Sequence, residues 1–256
     1  MSATPDDSDT RLRAENARLV ALLDAHGIQW RSSPESLPEI SPAPTSSELG
    51  TDEKVALFRR LFRGRTDVYP IRWDSKSSGK SGYAPACANE WRAGICEKPR
   101  IKCADCGHRS LLPLSDEVIY GHLAGKHTIG VYPLLSDDCS HFLVVDLDES
   151  EWREDAQGFV ESCRELGVPI ALEISRSGDG AHGWIFFSAK VLARDARRLG
   201  TALISHTCAR TRQLRLSSYD RLFPNQDTMP KGGFGNLIAL PPAEETSRER
   251  LQRVRR

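Results

Sequence analysis

The stretch His141-Phe142-Leu143-Val144-Val145-Asp146-Leu147-Asp148 carries the reading of this chain. Five apolar residues and a closing Asp-x-Asp predict a β-strand over Phe142 to Leu147, long enough to sit inside a sheet. On a strand, residues i and i+2 project to the same face. Asp146 and Asp148 are therefore expected side by side at the rim of a sheet. Two neighbouring carboxylates repel and stay ionised at a cost unless a cation lies between them. One reading is a divalent-metal site of the kind that handles phosphates. The other is a strand that runs into an acidic, solvated turn, since Glu149 and Glu151 follow at once.

Outward from this strand, the pattern alternates. Trp152, Ala156, Phe159, Val160, Cys163 and Leu166 recur at helical spacing, and Gly167-Val168-Pro169 stops that helix. Ile170 to Ile174 reads as the next strand, Ser175 to Ala181 as a Gly-rich turn, and Gly183 to Phe187 as the second arm of a hairpin. Leu192, Ala196, Leu199 and Leu203 mark another amphipathic helix, and Leu237 to Leu240 a short late strand before Pro241-Pro242. Strand, helix, hairpin, helix, strand predicts an α+β fold, with a sheet carrying its helices on one face.

The flanks divide the chain further. Residues 1–30 contain a helix from Arg11 to His26, in which Leu12, Asn16, Leu19 and Leu23 follow a coiled-coil step. This segment either packs on its own domain or pairs with a second copy as a homodimer. Residues 31–50, rich in Ser, Pro, Glu and Thr, read as a disordered linker. Thr51 is expected to cap a second helix, with Val55, Phe58, Leu61 and Phe62 on its apolar face, and the folded unit to run over residues 51–242. Residues 243–256 form a basic tail. Lys+Arg and Asp+Glu balance at 35 each, so net charge excludes no partner class. The arginines near residues 59–65 and at the C-terminus either meet phosphates or form solvated faces. There is no membrane-length apolar run and no apolar signal region, so a soluble cytoplasmic protein without membrane contact is expected.

Three further segments bear chemistry. Cys87, Cys96, Cys103 and Cys106, four of the seven cysteines, give Cys-x8-Cys-x6-Cys-x2-Cys within about residues 83–110. Four thiolates suit a closed, structural Zn²⁺ site, with His108 as a substitute ligand; the competing reading is reduced, buried thiols. Tyr83, Trp91, Lys98, Arg100 and Lys102 surround them, as aromatics and bases that track a single strand do, or simply as packing. Next, Ser175-Arg176-Ser177-Gly178-Asp179-Gly180-Ala181-His182 offers backbone N–H groups, Ser177, Arg176 and His182 to an anion, although a tight hairpin alone accounts for its glycines. Last, Ser218 to Asp227 and Lys231 to Asn236 gather acids, amides and bases among glycines. Asp220 or Asp227 would supply a third carboxylate and Lys231 a phosphate contact, in what is otherwise a polar loop with Asx turns.

Taken together, Asp146-Leu147-Asp148, the small-x-His of Gly180-Ala181-His182 and a later single acid resemble the three motifs of archaeo-eukaryotic primases. The wider text resembles the primase-polymerase-like domain of TOTE conflict systems over about residues 52–242. It does so through Cys87-Ala88-Asn89-Glu90-Trp91, Cys103-Ala104-Asp105-Cys106, Gly121-His122-Leu123, Gly130-Val131-Tyr132-Pro133, Ser175-Arg176-Ser177-Gly178 and Ser218 to Asp227. The resemblance implies an RRM-like catalytic core with an accessory module, and template-directed nucleotidyl transfer on a DNA template and primer. Asp146, Asp148 and Asp220 would hold Mg²⁺ or Mn²⁺, and His182, Ser177, Arg176, Gly178 and Lys231 the dNTP or NTP. Relatives usually continue into helicase and nuclease regions, so a fragment or a stand-alone version is expected. Many relatives have Ser where this chain has Gly180. The same carboxylates would also serve a metal-dependent nuclease or phosphodiesterase, and the same fold a non-catalytic nucleic-acid-binding module of a defence system.

Overall fold

The computed structural model describes residues 49–148, 151–212 and 216–241, together with the helical, exposed residues Ala14, Ala17, Arg18, Ala21 and Ala25. The seam residues Leu12, Asn16, Leu19 and Leu23, nearly all of the linker and the basic tail lie outside the described residues. The chain divides into two units, Met1–Leu49 and Gly50–Arg256. The second contains α1 (Thr51–Leu61), β1 (Pro70–Asp74), β2 (Ser81–Pro85), α2 (Asp116–Leu123), β3 (Gly130–Val131), β4 (Cys139–Asp148), α3 (Trp152–Glu165), β5 (Ala171–Ile174), β6 (Gly180–Leu192), α4 (Ala193–Thr211), β7 (Tyr219–Phe223) and β8 (Ile238–Ala239).

β4 is the axis of the fold. Phe142, Leu143, Val144, Val145 and Leu147 are all fully buried. An unbroken apolar run is what a strand covered on both faces needs. The main sheet runs β5-β6-β4-β7, with every neighbouring pair antiparallel. β4-α3-β5-β6-α4-β7 is the split β-α-β arrangement. On one face Leu143, Val145 and Leu147 pack with Trp152, Ala156, Phe159 and Cys163 of α3 and with Ala196 and Leu203 of α4. α3 ends as its sequence requires: Gly167 adopts φ +67°, and the Val168 N–H closes on the Cys163 carbonyl at 2.8 Å, a Schellman stop.

The other face corrects the one-sided sheet expected above. Phe142, Val144, Trp184 and Phe223 pack there with Tyr69, Ala86, Ile129, Val131, Ile238 and Leu240, and α1 adds Phe58 and Phe62. The Phe62 ring meets Trp184 edge-on at 4.9 Å. Val118 of α2 packs there as well, so helices also cover this side. The late strand, expected to close the main sheet, instead pairs with β3 as a separate two-stranded sheet; β7, lying in the segment read as a loop, takes the edge beside β4. Its Tyr-Asp-Arg-Leu-Phe alternates too weakly to announce a strand. β6 runs well beyond Gly183 to Phe187 because its C-terminal half still pairs with the start of β4. At α1 the N-cap is Gly50, with Thr51 already helical, and the Glu53 carboxylate accepts from the Gly50 N–H at 2.8 Å. No helix among the described residues is long and apolar enough to cross a membrane.

Candidate metal and nucleotide site

The apolar face that meets α1 turns polar at its far end. Asp146 lies opposite His182 of β6 on one side and Arg221 of β7 on the other, and Asp148 lies opposite Gly180. Residues directly opposite in antiparallel strands share a face, so these groups collect on one rim. A β-bulge supplies the third carboxylate. The β4–β7 register is Asp146 with Arg221 but Leu147 with Tyr219, which leaves Asp220 as the extra residue. An unbroken register would have set Asp220 opposite the helix-facing Leu147; the bulge re-aims it. The ligand oxygens of Asp146, Asp148 and Asp220 then lie within 4.8 Å of one another. Asp227, the alternative third acid, is engaged by Arg197 instead, so the geometry selects Asp220.

Asp146 is 9% exposed, and its Oδ1 is buried without a hydrogen-bond partner. His182 Nε2, at 3.5 Å, is too distant to supply one. Burial pushes the Asp146 carboxyl up to about 6. The His182 charge opposes that rise, Asp148 and Asp220 add to it, and Arg221 again opposes it. An orphaned anionic oxygen beside two further carboxylates fits a hard divalent cation, which takes oxygen ligands. Arg221 Nε donates to Asp220 Oδ2 at 2.6 Å and offsets part of the trio's charge.

Residues not singled out in the sequence hold this rim in place. Glu173 Oε2 accepts from His182 Nδ1 at 3.0 Å and from Trp184 Nε1 at 2.9 Å. Burial works against the His182 imidazolium, but the Glu173 hydrogen bond and charge, with the charges of Asp146 and Asp148, win and raise its pKa. The available signal was one acid within the otherwise apolar Ala171-Leu172-Glu173-Ile174. Asp155, 2% exposed on α3, accepts from the Ser218 N–H at 3.0 Å and the Ser218 hydroxyl at 2.7 Å, and the Asp148 N–H donates to the Ser218 carbonyl at 2.7 Å. Ser218 is thus clamped two residues before Asp220. Its only trace in the sequence was the polar text around it.

The Gly-rich turn is more self-satisfied than its composition implies. The N–H groups of Ser175, Gly178 and Asp179 go to the Gly180 carbonyl, the Ser175 carbonyl and the Ser177 hydroxyl, so they are not open to cradle an anion. Arg176 and Ser177 are exposed there, and Arg176 interacts with the Tyr83 hydroxyl. Gly180 has a steric reason: a Cβ would lie 2.3 Å from Asp148 Oδ1 and 2.6 Å from the Leu147 carbonyl oxygen. Lys231 is exposed in a turn whose Gly232 and Gly233 carbonyls accept from Arg109 and Arg65.

Cys87, Cys96, Cys103, Cys106 and His108 line one small cavity, and the Ser110 N–H donates to Cys87 Sγ at 3.3 Å. Among the described residues, however, the aspartate trio is the one set of three or more ligand atoms within 4.8 Å of one another. The cysteines share a cavity without standing at ligand spacing. Trp91 is 67% exposed with φ +57°, and Lys98 Nζ sits 5.8 Å from its ring centre while pairing with Glu90 at 2.6 Å.

Residues 53–251 match a family model described as TOTE conflict system, Archaeo-Eukaryotic Primase domain. No curated protein matches the chain.

Proposed function

The chain belongs to the archaeo-eukaryotic primase domain family of TOTE conflict systems, and on that premise we propose that it is a primase-polymerase-type nucleotidyltransferase. The observation that carries this reading is the convergence of Asp146, Asp148 and Asp220, with Asp146 Oδ1 buried and unpartnered. The trio would hold two Mg²⁺ or Mn²⁺ ions, which when bound lower the pKa of an attacking 3′-hydroxyl and neutralise charge on a triphosphate. The split β-α-β sheet supports an RRM-like core as the frame. His182, beside Asp146, donates to the incoming triphosphate. Exposed Arg176 and Ser177 add donors at the mouth, and Lys231 serves the nucleic-acid backbone. Arg221 restrains Asp220 and keeps the trio from carrying three uncompensated charges. No protein nucleophile is needed, because the hydroxyl of the growing strand attacks.

The same proposal extends to the surroundings. DNA template and primer with dNTP or NTP are the partners, helicase and nuclease modules act alongside, and residues 11–26 pair two copies. The four cysteines would hold a structural Zn²⁺, and the protein works in the cytoplasm. The test is a gel assay with labelled primed and unprimed DNA, each metal, and dNTPs or NTPs. Strands lengthen only with nucleotide and metal, and Asp146→Ala abolishes the extension while keeping the fold. Extension at the parental rate by Asp146→Ala refutes the assignment; shortening without nucleotide identifies a nuclease instead.

A further inference from the structure

Glu173 is an acid on a four-residue strand, 17% exposed at its side chain, and is not part of the aspartate trio. A carboxylate placed there is tolerated only where its oxygens are satisfied. Two hydrogen bonds end on the same oxygen, one from His182 Nδ1 at 3.0 Å and one from Trp184 Nε1 at 2.9 Å. Glu173 is also the cross-strand partner of His182. Trp184 is itself anchored: it is 2% exposed, with the Phe62 ring at 4.9 Å and the Phe142 ring at 5.3 Å. One carboxylate oxygen is thereby tied both to the apolar core, through Trp184, and to the His182 ring at the metal rim. With Nδ1 bonded to Glu173, the opposite nitrogen, Nε2, is left 3.5 Å from Asp146 Oδ1. A flipped imidazole would set a carbon against the Glu173 oxygen and withdraw Nε2 from the rim.

We infer that Glu173 is a positioning residue, which fixes the His182 ring in the orientation that aims Nε2 at the aspartate centre, and that nucleotide capture depends on this hold. The second half of the inference rests on the nucleotidyltransferase reading; the first does not. Hydrogen-bonded partners of metal-ligating histidines fix ring orientation in the same way, and their loss costs about 10- to 100-fold in metal affinity or activity.

The test compares the parent with Glu173→Gln, Glu173→Ala and Trp184→Phe. Calorimetry measures dATP binding with Mn²⁺ and Mn²⁺ binding alone, and ¹⁵N-histidine NMR reads the His182 nitrogens. In the parent, Nδ1 carries a slowly exchanging proton. In Glu173→Ala that signal is lost and dATP binding weakens by about tenfold or more, while Mn²⁺ affinity stays within about twofold. Glu173→Gln, whose amide oxygen accepts the same bonds, keeps the signal and most of the affinity. Trp184→Phe, which removes one tether, falls between the two. An unchanged His182 signal in Glu173→Ala overturns the inference, and so does a Gln variant as impaired as Ala. If the parent binds no dATP, the nucleotidyltransferase reading falls with the capture claim, and the NMR comparison still decides the orientation claim.

Discussion

Replacing Asp146 with Asn removes a buried titration while preserving size, and the structure sets the scale of the effect. The Asp146 carboxyl rises from its ordinary 3.8 to about 6, with burial as the main cause. At ~1.36 kcal/mol per pKa unit, that rise makes the charged form about 3 kcal/mol less favourable in the folded than in the unfolded chain. The sign follows from linkage: between these values the folded chain binds more proton than the unfolded one, so this contribution to stability falls as pH rises and levels off above about pH 7. The metal-free parent should recover about half of it, roughly 1.5 kcal/mol, on going from pH 8 to pH 5. For a chain of this size that corresponds to a Tm shift of about 3–6 °C relative to Asp146→Asn. The raised His182 value acts in the same direction, because its stabilisation is present at low pH and lost as pH rises. Titrations elsewhere, such as that of His122, whose pKa burial lowers, are common to both chains and drop out of the difference. The assay is thermal unfolding of both proteins from pH 5 to pH 8 in chelator, repeated with Mn²⁺. In chelator the variant is favoured relative to the parent at pH 8, and the gap shifts toward the parent at pH 5. Saturating Mn²⁺ raises only the parent's Tm at pH 8. Parallel Tm profiles across the pH range would refute the claim that Asp146 is held as a strained, unpartnered anion.

Further outcomes follow from the same geometry. Asp155→Ala strands the Ser218 N–H and hydroxyl in the interior and should cost about 3 kcal/mol in urea unfolding, with weaker Mn²⁺ binding because Asp220 loses its clamp. Gly180→Ser places a Cβ against Asp148 Oδ1 and should lower Mn²⁺ affinity by about tenfold, measured by calorimetry. Purified protein should carry about one zinc per chain by elemental analysis, and Cys103→Ser should lose it and unfold at lower temperature.

The local part of the design was legible in the order of the residues alone. Phe142 to Leu147, the α3 and α4 periodicities and the stop at Gly167 are patterns of neighbours along the chain, and each led to the element observed. The two-residue spacing of Asp146 and Asp148 put both on one rim, since strand geometry alone requires it. Other features depended on partners far apart in sequence. The edge strand β7 was hidden because its alternation is weak and its place beside β4 is set by packing. Glu173 and Asp155 looked like ordinary acids because their roles come from residues 9 and 63 positions away.

By itself, the sequence determined the central buried strand, the helix, hairpin and helix that follow it, and two of the three rim carboxylates, because backbone periodicity is a short-range property. Only the tertiary structure brings Asp220, and not Asp227, beside Asp146 and Asp148, and joins Glu173 to His182 by a hydrogen bond. Strand register, and the bulge that breaks it, are chosen by the burial of whole faces, and no local run of residues encodes that choice.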